Sequence, residues 1–280
     1  MTTEQQVLNA PASVSTISGG TRTRVITARP WQPKLITYPE GREGECPFCQ
    51  TGRANEYRGD GFVISDNLYS PFEFHRLLVP STCWKESELR NLNGPGLSLE
   101  TAFTAGLGEF VRLGRNPFPA WISTHIGIGA GQNQPHHHWH LIVRPRGGTE
   151  VVGQDRPEFG PLTIIRDSNL FRACAWGIKA GQVLIVPRAP ILITAAMENV
   201  EILLELVRLV RNIVDLYNKK FSYPDFAIMF AVAGEYDWCV HYIPHLNYWG
   251  PNDYLAPVYG TPYTLSWSHK ETVRFLLSAD

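Results

Sequence analysis

No apolar run in this chain approaches the roughly 20 residues needed to cross a bilayer, and neither sign of charge is in excess. Lys and Arg number 25 against 26 Asp and Glu in 280 residues, so no global field favours nucleic acid or an anionic membrane, and any recognition of phosphate has to be local. Residues 1–20, MTTEQQVLNAPASVSTISGG, lack the basic start and apolar centre of a secretory signal and read as a disordered tail. The expectation is a cytoplasmic protein. Cysteine is scarce and odd in number: Cys46, Cys49, Cys83, Cys174 and Cys239. That argues against a disulfide framework and for reduced thiols, some of them metal ligands.

What the chain does have is histidine in one place. Four of its nine histidines lie within His136-His137-His138-Trp139-His140, entered through Gly127-Ile128-Gly129-Ala130-Gly131. On a strand, side chains alternate, so His136, His138 and His140 project to one face and His137 and Trp139 to the other. Three imidazoles after a loop rich in free N–H groups suit metal binding or chemistry on a phosphate.

The rest of the chain arranges itself around that strand. Thr23 to Ile36 reads as a short strand running into a proline-broken loop. Cys46-Pro47-Phe48-Cys49 has the spacing at which one turn offers two sulfurs to a tetrahedral Zn²⁺, with Zn–S near about 2.3 Å; the residues that follow do not form the helix a redox pair would require. Gly61 to Ser65 and His75 to Pro80 read as strands, the second stopped by proline. A helix is expected over Leu99 to Leu113 and a strand over Trp121 to Ile128.

That order then recurs. Val183-Leu184-Ile185-Val186-Pro187 restates Leu77-Leu78-Val79-Pro80. Thr194 is expected to cap a helix running to about Tyr217, apolar at Ile202, Leu206, Leu209, Val210 and Ile213. Phe226 to Val232 matches the Trp121 strand, and Trp238 to Pro244 stands where the histidine strand stood. Pro80 and His138 are 58 positions apart, Pro187 and His241 54. Two copies of one unit imply a duplicated α+β domain, in which only the first copy has three in-phase histidines.

These residues together resemble the histidine triad superfamily, whose His-x-His-x-His signature is met by His136, His138 and His140, followed by Leu141 and Ile142. The likeness is to the galactose-1-phosphate uridylyltransferase branch, over roughly residues 23 to 270. There an Arg-Pro-Trp-Gln stretch precedes the CxxC, as Arg29-Pro30-Trp31-Gln32 does here. Asn67 and Cys83 fall where that branch has an asparagine and a third zinc ligand, and Ala130-Gly131-Gln132-Asn133 matches its glycine loop. The resemblance implies an α+β, tandem duplicated fold with antiparallel sheets flanked by helices. Its halves would span 21–150, with the zinc site and histidine motif, and 151–280, degenerate.

It also implies roles. A structural zinc would be held by Cys46, Cys49, Cys83 and His136, with His75 as the alternative fourth ligand. His138 would be the nucleophile that forms a nucleotidyl-histidine, with a backbone carbonyl on Nδ1 holding Nε2 free. Gly129, Gly131, Gln132, Asn133 and Asn67 would contact the substrate, with Arg29 reaching the phosphates of a neighbouring subunit in a homodimer. The expected function is nucleotidyl transfer at the α-phosphate of a nucleotide conjugate to a sugar 1-phosphate or other phosphate. Where that branch ends the triad with glutamine this chain has His140, which can shuttle a proton to a leaving group and so raises a nucleotide hydrolase or phosphorylase as the alternative. A zinc-stabilised nucleotide-binding protein without turnover is the third reading. Cys239 and His241 fall where some members carry a second metal.

Overall fold

The computed structural model describes residues 13–17, 21–25, 48, 57–67, 74–112, 120–127, 130, 132, 136–143, 163–175, 181–221, 224–245, 273–274 and 277–278. Arg29, Cys46, Cys49, Gly129, Gly131, Asn133 and the aromatic segment from 247 to 263 lie outside the described residues. Among the described residues no helix is long and apolar enough to cross a membrane.

A two-stranded hairpin, β1 (Ser13–Ile17) and β2 (Thr21–Val25), stands apart from the main sheet. Part of the segment 1–20, expected as a disordered tail, is therefore strand; SVSTI is rich in residue types that favour extended backbone. Among the described residues the main sheet has ten strands. They are β3 (Tyr57–Gly59), β4 (Phe62–Asp66), β5 (Phe74–Pro80), β6 (Ala120–Ile126), β7 (Trp139–Val143), β8 (Thr163–Asp167), β9 (Phe171–Ala175), β10 (Val183–Pro187), β11 (Asp225–Val232) and β12 (Trp238–His245). The spatial order is β3-β4-β5-β7-β6-β11-β12-β10-β9-β8, and every neighbouring pair is antiparallel.

Read from either edge, the strands follow one pattern: three in sequence, then the fifth, then the fourth. Helices α1 (Glu86–Arg90) and α2 (Leu99–Arg112) come between the third and fourth strands of the first half. Helices α3 (Ile193–Glu198) and α4 (Val200–Phe221) do so in the second. The halves join along β6 and β11, where Ser123 pairs with Met229 at the centre of the ladder. Ser123 pairs on its other side with His140, and Met229 with His241. One strand further out, His140 faces Leu77 and His241 faces Leu184. A half-turn about the ladder's centre thus carries His140 onto His241, Leu77 onto Leu184 and Pro80 onto Pro187. It also carries His138 onto Cys239 and His75 onto Gln182.

The core lies between the sheet and the helices. Phe103 of α2 meets Trp139 of β7 at 5.8 Å and Phe230 of β11 at 5.0 Å between ring centroids, so one aromatic spans both halves. Burying a side chain of that size stabilises by about 1.5–3 kcal/mol. Phe103, Trp139, Phe230, Tyr217 and Tyr242 belong to one buried cluster. Arg76 of β5, itself buried, reaches Asp66 of β4 at 3.1 Å and pairs with Glu109 of α2, tying the strand that carries His75 to the helix layer.

Two further sequence expectations change. The helix expected to start at Thr194 is two helices, broken at Asn199, and Thr194 lies inside the first, whose N-cap is Leu192. The Asn199 side chain supplies the cap that matters, its Oδ1 accepting from the N–H of Glu201 at 2.9 Å. The histidine strand is also shorter than expected, beginning only at Trp139. The carbonyl of His136 is taken by the ring of His138 (3.0 Å) and that of His138 by the Thr124 hydroxyl (2.8 Å), bonds to side chains in place of ladder partners.

Candidate active site

The sidedness of the histidine run survives its irregular start. His137, 1% exposed, turns toward the helix side, stacked on Trp84 at 4.3 Å and edge-on to Trp139. Burial, with the charges of His138 and His136 adding, lowers its pKa well below the usual histidine value, so it packs as a neutral aromatic ring.

His136 and His138 occupy different settings. The Nε2–H of His136 donates to the Pro80 carbonyl (2.8 Å) and leaves Nδ1 3.1 Å from the Cys83 sulfur. A ring nitrogen oriented by a carbonyl bond on its far side, beside a thiol, is a donor pair suited to a soft or borderline metal such as zinc. Among the described residues no group of three or more His, Cys, Asp or Glu converges to hold a metal, Cys46 and Cys49 lying outside them. His138 is bonded through the other nitrogen: its Nδ1–H donates to the His136 carbonyl at 3.0 Å. This places the lone pair of a neutral His138 on Nε2.

Beside His138 the sheet face carries more imidazole than the motif alone. His140 lies 4.9 Å from His138, 5.0 Å from His75 and 5.6 Å from His125, centroid to centroid. His75 Nε2 and His140 Nδ1 are 2.8 Å apart, and the Asn67 amide nitrogen is 3.3 Å from His75 Nδ1 and 3.2 Å from His75 Nε2. Burial, followed by the charge of His138, lowers the pKa of His75 to about 3, so His75 is neutral with one N–H. A neutral His75 presents either its one N–H or its one lone pair to His140 across the 2.8 Å contact, so the two rings share a hydrogen bond whose direction follows the His75 tautomer. Asn67, His75 and His140 thus form a chain of polar contacts along which a proton can be passed.

Gln132 closes the loop. Its backbone N–H donates to the Gly127 carbonyl at 3.1 Å, and its side-chain Oε1 accepts the Gly127 N–H at 2.8 Å. One N–H of the glycine loop is therefore spent internally. Gly127 has φ +91°, and a Cβ there would fall 1.9 Å from the Asp225 carboxylate, so only glycine fits.

Of the expected site residues, the structure brings Asn67, Cys83, Gln132, His136, His138 and His140 to one region. His75 stands with His140 and Asn67, apart from the Cys83–His136 pair. Sequence reasoning missed His125 and Phe48. His125 sits one alternation beyond Ser123 on β6, a signal visible only once that strand's neighbour is known. Phe48 stacks on His138 at 5.2 Å and 19°.

In the second half, Cys239 Sγ is 3.3 Å from His241 Nε2 and the Gln182 amide nitrogen 3.2 Å from His241 Nδ1. All three side chains are buried. Burial lowers the pKa of His241 to about 3 and pushes the Cys239 thiol far up.

No family model and no curated protein matches the chain. Solved structures do. A GalT-like protein from Arabidopsis thaliana is similar with TM-score 0.58 at 12% identity, over 89% of this chain and 94% of that one. An ADP-glucose phosphorylase from Arabidopsis thaliana with bound ADP-glucose has TM-score 0.58 at 14% identity, over 89% and 91%. A uridylyltransferase has 0.55 at 13%, over 95% and 97%. Likeness at this identity establishes the fold: this chain shares the fold of the GalT-like protein, the ADP-glucose phosphorylase and the uridylyltransferase.

Proposed function

We propose that the protein is a cytoplasmic nucleotidyltransferase acting at the α-phosphate of a nucleotide conjugate, of the nucleotide-sugar class, through a nucleotidyl-His138 intermediate. The observation that carries this is the 3.0 Å bond from His138 Nδ1–H to the His136 carbonyl. Nε2 attacks the α-phosphorus, the bond to the leaving phosphate oxygen breaks, and the positive charge that develops on the ring is shared with the carbonyl. An oxygen of a sugar 1-phosphate or other phosphate then attacks phosphorus, and the P–N bond returns its electron pair to Nε2. The glycine loop, through Gly129 and Gly131, and Asn133 and Arg29 are proposed to hold the phosphates. For Gln132 and Asn67 the bonds described above favour support of the loop and of His75 over direct contact.

Zinc is proposed as a structural ion that Cys46, Cys49, Cys83 and His136 would hold, where it would anchor the segment that precedes His138. The ion takes no part in the transfer. The repeated strand pattern supports a tandem duplication with halves 21–150 and 151–280, and the chain is proposed to act as a homodimer.

One observation favours a second reading. The Asn67, His75, His140 chain sets a second imidazole, able to carry a proton, next to His138, which serves a leaving group or water and so suits hydrolysis or phosphorolysis. The test is to incubate the protein with α-labelled nucleotide sugars. Acid-labile label on the chain, absent in His138→Asn, supports the intermediate. Discharge by a sugar phosphate well ahead of water supports transfer, and discharge by water at the same rate supports hydrolysis. No label with any nucleotide leaves a binding protein.

A further inference from the structure

The ring that lies flat against His138 has no role in the scheme above. Phe48 stacks on His138 with centroids 5.2 Å apart and planes 19° from parallel. The same ring meets His136 at 5.7 Å and 49°. The bond from Nδ1–H to the His136 carbonyl fixes where the His138 ring points within its plane, but one hydrogen bond still allows the ring to tilt about that axis. A flat aromatic face removes the tilt, because offset stacking is favoured only over a narrow range of orientations. In-line attack needs both restraints, since the Nε2 lone pair lies in the ring plane.

We infer that Phe48 is a positioning residue for the nucleophile, holding the plane of the His138 imidazole while the His136 carbonyl holds its direction. The inference rests on His138 being the nucleophile. Phe48 also sits between Cys46 and Cys49 in the sequence and touches His136, so the segment that would bind the ion also carries the ring that sets the imidazole.

The test uses the full chain labelled with ¹³C-histidine. The His138 ring resonance, identified by its loss in His138→Gln, lies under the face of Phe48 and is expected upfield. It should move downfield in Phe48→Leu and stay upfield in Phe48→Tyr. An unmoved His241 resonance in both variants reports an intact fold. A His138 signal unchanged in Phe48→Leu overturns the stack. The second readout is single-turnover labelling by α-labelled nucleotide sugar. Phe48→Leu should slow label formation about tenfold, the upper range of what an aromatic pair contributes, with half-saturating substrate unchanged and Phe48→Tyr restoring the rate. Zinc content should be equal in all three proteins.

Loss confined to substrate affinity, with the rate at saturation intact, overturns positioning in favour of substrate contact. Labelling as fast as wild type overturns the inference while leaving the proposed function standing. A ring-current shift in a wild-type protein that takes no label from any nucleotide defeats the proposed function, and with it the role of Phe48 as a guide to a nucleophile.

Discussion

The two halves of the sheet hold the same three positions and furnish them differently. In the first half the positions carry His75, His138 and His140; the half-turn that superposes the strand patterns puts Gln182, Cys239 and His241 in their places. The internal contacts correspond: His75 to His140 at 2.8 Å against Gln182 to His241 at 3.2 Å. What differs is access and bonding capacity. His140 and His75 retain partial exposure, whereas Cys239 and His241 are 3% and 0% exposed. Burial holds the Cys239 thiol in its neutral form, and a thiol is a poor nucleophile until it ionises. The sheet thus presents one cluster able to exchange protons with a ligand and one that only packs.

The sharpest break of this comparison is at the pair His138 and Cys239. His138→Asn should remove labelling by α-labelled nucleotide sugar to background, a loss of about 10³ or more. Cys239→Ala should leave it within a factor of about two. Labelling that follows Cys239 instead would reverse the assignment of the halves.

Acid treats the halves alike and so measures what they share. His75 and His241 both have folded-state pKa lowered to about 3, by burial first, against about 6.5 in the unfolded chain. The unfolded state therefore binds more protons between those values. Stability from these groups is complete above about pH 6.5 and falls as pH drops toward about 3, by roughly 1.4 kcal/mol per group per pH unit. Denaturant unfolding at pH 7.5 and 5.5 should show this decline. His75→Gln, which copies Gln182 into the first half, should remove one group's share of the slope. An unchanged slope would mean that His75 is not held neutral.

His140 and His241 occupy matching sites, yet only His140 stands beside a candidate nucleophile. His140→Gln should shift discharge of the nucleotidyl intermediate from water toward a phosphate acceptor by about tenfold, since the amide cannot pass on a proton. His241→Gln should leave that partition unchanged. Equal partition in the wild type and in His140→Gln would take proton transfer away from this residue.

The comparison could be only partly read in the sequence, and the reason is register. Apolar runs ended by Pro80 and Pro187 announced β5 and β10, and the periodicity of 99–112 announced α2. Strands β8 and β9 went unread because Arg166 and Arg172 interrupt their apolar pattern. Spacing set His138 against His241, whereas the ladders through Ser123 and Met229 set His140 there and Cys239 opposite His138. The motif gave His136, His138 and His140 their places in line. The partners that distinguish them, Pro80 for His136 and His75 for His140, come from a strand more than 50 positions earlier and are fixed only by pairing. Phe48 and His125 carried no local signal at all.

The smallest effect is expected where the second half is least able to act. The Gln182 amide N–H is placed to donate to His241 Nδ1 at 3.2 Å, which puts the proton of a neutral His241 on Nε2, where it donates to Cys239 Sγ at 3.3 Å. Cys239→Ala removes this acceptor from a buried N–H, a loss of about 1 kcal/mol, while the small change in volume adds little. Cys239→Ser restores an acceptor of shorter reach and should recover part of it. Thermal unfolding separates the three proteins, and labelling rates should coincide. A rate that falls in step with stability would mean that β12 transmits strain across β11 and β6 to His140, making the second half a brace for the first and not a bystander.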